Sequence, residues 1–321
     1  MSAASVEMTP DEKKTWRAPM MAVEIDKASF DPWRIQPVRH SLVGHPLLQP
    51  AALVALGERL EVRGSIRTHG NDATAGTSFG DAPSAHPNRL SAAQTLGAIQ
   101  DAKAWMSLLN VQVDPLYRVL VGDVLDGVQA RVGHRDPGMC YRAGWIFVTS
   151  PRTVTPFHFD KEHNFILQVS GKKRIYVWDH TDTVVASEQA RDRFHHTHGR
   201  ELLAWREEFR ERAHVFDLLP GEGAYMPSTS PHMVETGDEP SITISFTYYT
   251  DATRRDALLH KTHELVRRFG IAPPPVGRLP ALDAVTHAGI AALVGIRGVA
   301  RQVAGRPVHP GNLRFAGVPL T

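Results

Sequence analysis

The sequence predicts an α+β protein in which helices flank a closed or sandwich-like sheet of eight short antiparallel strands. Three observations carry that expectation. Between 145 and 249 short β-like runs alternate with turn-rich breaks. Before them lie apolar stripes at helical spacing. After them a capped stretch ending at Gly270 returns to helical texture. For eight such strands the jelly roll is a leading case.

Taken in chain order, residues 50–61 read as a helix and EVRGSIR as a short strand. The stretch 68–90, THGNDATAGTSFGDAPSAHPNRL, reads as a long loop, of a length that is usually either functional or disordered. Ser91 is placed to cap a helix reaching about Leu109, and Asp114 before Pro115 opens another to about Arg131. Their stripes (Leu96, Ile99, Trp105, Leu108, Leu109; then Leu116, Leu120, Val124, Leu125) read plainly as a helical layer on the sheet. The strands are WIFVTS (145–150), TPFHFD (155–160), NFILQVS (164–170) and KKRIYVW (172–178). After an insertion at 179–212, helical in ELLAWREEFRER, come AHVFDLL (213–219), GAYMPS (223–228), HMVET (232–236) and SITISFTYY (241–249). Thr250 or Asp251 caps the next helix, and APPPVGRLP separates it from a last one over 281–304.

Composition narrows the function. A chain of 321 residues, 42% hydrophobic and 22% charged, can bury a sizeable core. Its net charge of +2 gives no basic field for nucleic acid. The single cysteine, Cys140, excludes an internal disulfide and suits a reducing compartment. MSAASVEMTPDEKK lacks the pattern of a secretory signal, and AGIAALVGI at 288–296 is too short to span a bilayer. A cytoplasmic protein without membrane contact is expected. Seventeen histidines prove nothing by count, and FHHTHG at 194–199 is expected to be solvated rather than a second metal site. Phosphate loops, zinc-type cysteine pairs and nucleophile elbows are missing from the text.

The chemistry concentrates in TPFHFDKEHNFILQVSGKKR, residues 155–174. Polar groups buried without partners cost roughly 2–7 kcal/mol each, so those in a strand-like run need a reason. His158 and Asp160 stand two apart, which puts both side chains on one strand face while Phe159 points away. A bare His-x-Asp is weak evidence. His232, at the start of a later strand, offers a third ligand that only a closed sheet would bring to the pair. Two histidines and a carboxylate are the facial set of non-haem Fe(II), with positions left for cosubstrate and oxygen. A solvated turn histidine is the plainer but poorer account of His232.

Lys173, two strands beyond His158, needs an anionic partner if buried, and no acidic neighbour offers itself. A dicarboxylate chelating the metal at one end would present its other carboxylate to Lys173, and Thr155 could add a hydroxyl. A surface position is the alternative for Lys173, and Lys172 should face the opposite way. Asn164 and Gln168 share a strand face and suit hydrogen bonds to ligands or cosubstrate. For Gln168 a polar network plugging the barrel is the alternative.

The run 155–174, with YMPSTSPHMVE and SITISFTYY, resembles the JmjC and cupin-like Fe(II)/2-oxoglutarate oxygenases. Among them it is most similar to the asparaginyl hydroxylase that inhibits hypoxia-inducible factor and its bacterial relatives. The likeness is strong over 140–250 and looser in the helices before. It implies a double-stranded β-helix with iron held by His158, Asp160 and His232. It also implies that Lys173 and Thr155 bind the far carboxylate of 2-oxoglutarate, with Asn164 near the chelating end and Tyr141 a further candidate. Thr247, with Ser245 on the same face, stands where the hydroxylase has an asparagine on its last core strand, and is expected to bind cosubstrate.

The organisation so implied is a loose arm (1–30), a catalytic domain (31–250, core 140–250, insertion 179–212) and a C-terminal helical region (251–321). That region would pad the barrel or pair two copies in a homodimer. Loop 68–90 and the insertion would wall the substrate. The implied activity uses Fe(II), 2-oxoglutarate and O2 to hydroxylate an aliphatic carbon of a protein or peptide side chain, releasing succinate and CO2. A biosynthetic small-molecule hydroxylase is the alternative. Demethylation ranks third, for want of an aromatic cage. A catalytically silent cupin-like binding protein is the rival that the intact His158, Asp160, His232 and Lys173 argue against.

Overall fold

The computed structural model describes residues 21–303, so most of the expected N-terminal arm and the last position of the 281–304 helix lie outside the described residues. The chain divides into two compact units, Met1–Arg254 and Arg255–Thr321. In the first, the described strands form one eight-stranded and one four-stranded sheet, antiparallel throughout.

The strands are β1 (Val23–Glu24), β2 (Gln36–His40), β3 (Ile66–Gly70), β4 (Ala104–Leu108), β5 (Cys140–Thr149) and β6 (Val154–His158). They continue as β7 (His163–Ser170), β8 (Lys173–Val177), β9 (His214–Leu218), β10 (Glu222–Met226), β11 (His232–Thr236) and β12 (Ser241–Tyr249). The eight strands from β5 onwards are the expected ones. They divide as β10-β7-β12-β5 in the larger sheet and β6-β11-β8-β9 in the smaller, the two faces of a jelly roll. At the β7–β8 turn the φ of Gly171 is +70°, and a Cβ there would strike the Pro240 carbonyl, so the turn requires glycine.

The larger sheet extends beyond the jelly roll by two strands at each edge, β1-β2 beside β10 and β4-β3 beside β5. Here the structure corrects the sequence expectation. The helix capped by Ser91 ends at Gly97, and Ala104–Leu108, expected to be its second half, is β4. All five residues of AWMSL are buried, so no polar alternation marked them as a strand. The strand expected in EVRGSIR lies further on, at β3. Within the insertion the α-helix is Glu188–Thr197, capped by Ser187, whereas the expected helical run contributes only a 3-10 segment, Glu207–Arg212.

Two apolar layers sandwich the larger sheet. On its outer face Ile146, Val148, Phe165, Leu167, Ile244 and Phe246 pack on the helix Pro115–Val132, which Asp114 caps as expected. On its inner face Ile166, Ala224 and Met226 meet Ile175, Val177, Leu218 and Val234 inside the barrel. The C-terminal helices are Asp251–Arg267 and Pro280–Val303. Among the described residues, no helix is long and apolar enough to cross a membrane.

Candidate metal and cosubstrate site

His158 ends β6, Asp160 follows it, and His232 opens β11, paired in register with His158. The closed barrel thereby joins the distant third residue to the first two. Asp160 Oδ2 lies 3.6 Å from His158 Nε2 and 3.8 Å from His232 Nε2. One ligand atom from each residue falls within 4.8 Å of the others, the only such grouping among the described residues. The histidine-rich segment 194–199 forms no comparable cluster there.

Both rings are set to offer Nε2. His158 Nδ1 donates to the Pro156 carbonyl at 2.7 Å and His232 Nδ1 to the Ser230 carbonyl at 3.1 Å. A carbonyl only accepts, so the proton sits on Nδ1 and the Nε2 lone pair is bare. Burial, reinforced by the His232 ring, holds His158 well below the ordinary imidazole value, and burial likewise lowers His232. Burial pushes Asp160 upwards, but the two imidazoles and Arg200 outweigh it and keep the carboxyl ionised. Two neutral imidazoles and one carboxylate on a common face suit a divalent metal of the iron class.

Thr155 lies three residues before His158, a spacing that simple alternation would send to the opposite face. A β-bulge resolves this. His232 pairs with His158 and Val234 with Thr155, so Pro156 and Phe157 together oppose Met233. Thr155 and His158 therefore both face the interior, while Phe157 packs outside with Trp178 and Met233. Trp105 Nε1 donates to Thr155 Oγ1 at 2.8 Å, and His69 stacks on Trp105 at 4.7 Å.

Lys173 opens β8 on the same face as Ile175 and Val177, in register with Thr236. Only 4% of it is exposed, and among the described residues no carboxylate pairs with it. Its nearest recorded partner is the Phe147 ring, 6.0 Å away. Burial alone lowers its pKa to about 7. Lys172 is exposed, as expected.

Asn164 and Thr247 pair across β7 and β12. Asn164 Oδ1, Thr247 Oγ1 and Ser245 Oγ are all buried without a hydrogen-bond partner. Orphans of this kind need an explanation, and three neighbours on one inner face suit a bound polar ligand. Gln168 behaves differently. Its amide donates to Ser170 O and Ser241 Oγ at 2.6 and 2.8 Å and accepts from Thr243 Oγ1 at 2.9 Å. It is the polar plug, and not a hydrogen-bond partner of a ligand. Tyr141 meets Tyr249 edge-on at 5.9 Å.

Loop 68–90 and the insertion both reach the His158–Asp160–His232 cluster. The Phe79 ring lies flat on His158, centroids 3.8 Å apart at 7°. Arg200 donates to Asp160 Oδ1 at 3.1 Å and to the Phe159 carbonyl, and Phe159 packs on Phe194 of the insertion helix. Arg67 of β3 lies over Phe79 at 4.4 Å. Sequence reasoning named the two segments and missed Arg67, Phe79, Trp105 and Arg200. The one available signal was an aromatic at position 79 inside an otherwise small and polar loop.

Residues 97–254 match the family of cupin-like domains. No curated protein matches the chain. Among solved structures, the Escherichia coli ribosomal oxygenase YcfD in complex with cobalt and 2-oxoglutarate is 14% identical, with a TM-score of 0.40. That alignment covers 77% of this chain and 56% of YcfD. A second structure of the Escherichia coli protein is 16% identical over 56% of this chain and 42% of that one, with a TM-score of 0.32. The DMSP lyase DddQ from Ruegeria pomeroyi is 15% identical over 34% and 38%, with a TM-score of 0.23. The chain thus spans about two fifths to just over half of the structures it matches.

Proposed function

We propose that the protein, whose residues 97–254 match the family of cupin-like domains, is an Fe(II)- and 2-oxoglutarate-dependent oxygenase that hydroxylates an aliphatic carbon of its substrate. One observation carries this: the buried ammonium of Lys173 has no counter-ion and shares its barrel with a two-histidine, one-carboxylate cluster. A buried charge kept without a partner is expensive, and a dicarboxylate bound at the metal supplies the partner.

Iron with 2-oxoglutarate and O2, when bound, supplies insertion of oxygen into an unactivated C–H bond, with succinate and CO2 as co-products. His158 and His232 would give their Nε2 lone pairs and Asp160 its Oδ2. Lys173 and Thr155 would hold the far carboxylate. Because Trp105 already donates to Thr155 Oγ1, the threonine hydrogen is left to donate to that carboxylate. Thr247 would donate its unpaired hydroxyl to the chelating end, and Asn164 Oδ1, an acceptor, would take a hydrogen from a water held there. Phe79, stacked on His158, shields one side of the cluster from water, which strengthens every charge interaction within. A protein or peptide side chain is the proposed substrate, the class modified by the hydroxylases that residues 155–174 resemble.

The test is anaerobic addition of Fe(II) and 2-oxoglutarate, followed by O2. A weak visible metal-to-ligand band and then succinate are expected, both absent in His158→Ala. A peptide gaining one oxygen atom identifies the substrate class, whereas a metabolite gaining it selects the small-molecule alternative. Iron binding indifferent to 2-oxoglutarate rules the proposal out.

A further inference from the structure

Two guanidinium groups stand beside the metal cluster, and the oxygenase chemistry leaves both partly unused. Arg67 Nη2 donates to the carbonyls of Phe79 and Gly80, which fastens the loop, but its Nε is buried with no partner. Arg200 uses Nε and Nη2 on the Phe159 carbonyl and Asp160 Oδ1. Their Cζ atoms lie 4.4 and 5.2 Å from the centre of the same Phe79 ring, whose neighbour is His158. Like charges so placed repel each other, and burial adds to the cost of Arg67.

Carboxylates that could offset them are few. Asp160 faces the two histidines and would be committed to the metal. Asp81, the other carboxylate that Arg67 feels, is exposed to solvent. Glu162 is already bonded by the Tyr249 hydroxyl at 2.9 Å. β3 and the insertion therefore present surplus positive charge on an aromatic platform, the Phe79 ring, beside the His158–Asp160–His232 cluster.

We propose that the substrate carries a carboxylate close to the carbon to be oxidised, received by the guanidinium groups of Arg67 and Arg200 around Phe79. This rests on the oxygenase reading, since it places the acid beside the iron. A planar guanidinium offers a carboxylate two parallel N–H donors, a geometry that neither an amide nor an amine can use. Arg67 would select the acid, while Arg200 would also position Asp160. The acid could belong to an aspartate or glutamate side chain in a peptide or to a small free acid, and the same recognition serves both.

The test uses the full chain loaded with Mn(II) and 2-oxoglutarate, so that nothing turns over. N-acetyl-aspartate N-methylamide, its asparagine and lysine counterparts and a capped Gly-Gly-Asp-Gly-Gly peptide are titrated by calorimetry. The acid should bind at least about tenfold more tightly than the amide, and Arg67→Gln should erase that difference. Arg67→Lys should restore part of it. In both variants the affinity for 2-oxoglutarate should stay unchanged, which a collapsed loop would not allow. A tighter pentapeptide assigns a peptide source and a tighter single residue a small acid, and either supports the proposal. Equal affinity for acid and amide overturns it, as do a preference for the lysine probe, failure of both acid probes to bind at ~10 mM, and discrimination that survives Arg67→Gln. Failure of 2-oxoglutarate itself to bind would instead overturn the oxygenase reading beneath it.

Discussion

Asn164 and Gln168 lie four residues apart on one face of one strand, yet they belong to different kinds of protein interior. Around Gln168 every polar atom is answered within the chain, by Ser170, Ser241 and Thr243. Around Asn164 the neighbouring oxygens of Ser245 and Thr247 have no partner, and neither does its own Oδ1. One end of the barrel is thus closed by its own hydrogen bonds, and the other awaits bonds from something else. Residue type does not separate the two amides; hydrogen-bond satisfaction does.

Four substitutions would break or sharpen that contrast. The largest effect is expected at the open end from His158→Ala. It should abolish the 2-oxoglutarate-dependent visible band and lower succinate formation by more than about 100-fold, beyond what loss of an outer partner costs. Lys173→Met comes next, expected to weaken 2-oxoglutarate binding by about 2–5 kcal/mol in a calorimetric titration. In the same variant the ligand-free protein should become more stable, because a lone buried ammonium is removed.

A pH series isolates the origin of that gain. The unfolded lysine titrates near its ordinary 10.5 and the folded one at about 7. Between those values the unfolded chain holds the extra proton, so stability of the ligand-free protein should rise with pH across that window, by up to about 5 kcal/mol. Lys173→Met should flatten the rise in thermal melts. So should saturating 2-oxoglutarate, by keeping the folded ammonium charged. A slope that persists in the variant would assign it to other groups.

The smaller effects should dissociate cleanly. Asn164→Ala is expected to cost about 1–2 kcal/mol of 2-oxoglutarate affinity while leaving the ligand-free stability within about 0.5 kcal/mol. Gln168→Leu should do the reverse. Stranding Ser241 and Thr243 destabilises the fold by about 1–3 kcal/mol in urea, with the affinity untouched. Equal losses of both quantities in both variants would erase the distinction between the two ends.

Much of this was legible in the residues themselves. β11 and β12 fall on their expected bounds, and His158, Asp160 and His232 converge as the spacing and a closed sheet require. What escaped has physical causes. β4 is buried on both faces, so it carries no period-2 signal, and its Trp105 and Leu108 also fit a helical stripe. β1, at the sheet's edge, and β2 beside it are short strands whose text is mostly polar. The helix Glu188–Thr197 is rich in arginine and histidine, and its propensity is weaker than that of the run ELLAWREEFRER, which nonetheless yields only 3-10 turns. Phe79 meets His158, and Arg67 meets Phe79, only through the fold, and nothing in their spacing announces it.

The bulge in β6 has a use outside this molecule. An added residue frees a peptide carbonyl, that of Pro156, to take the proton of the neighbouring imidazole, a task a separate carboxylate or a water can also perform. Proline suits the position because it has no N–H to leave stranded. For anyone building a metal centre into a designed β-sandwich, the lesson is economical: lengthen the strand by one residue beside the histidine, and the backbone itself becomes the orienting ligand.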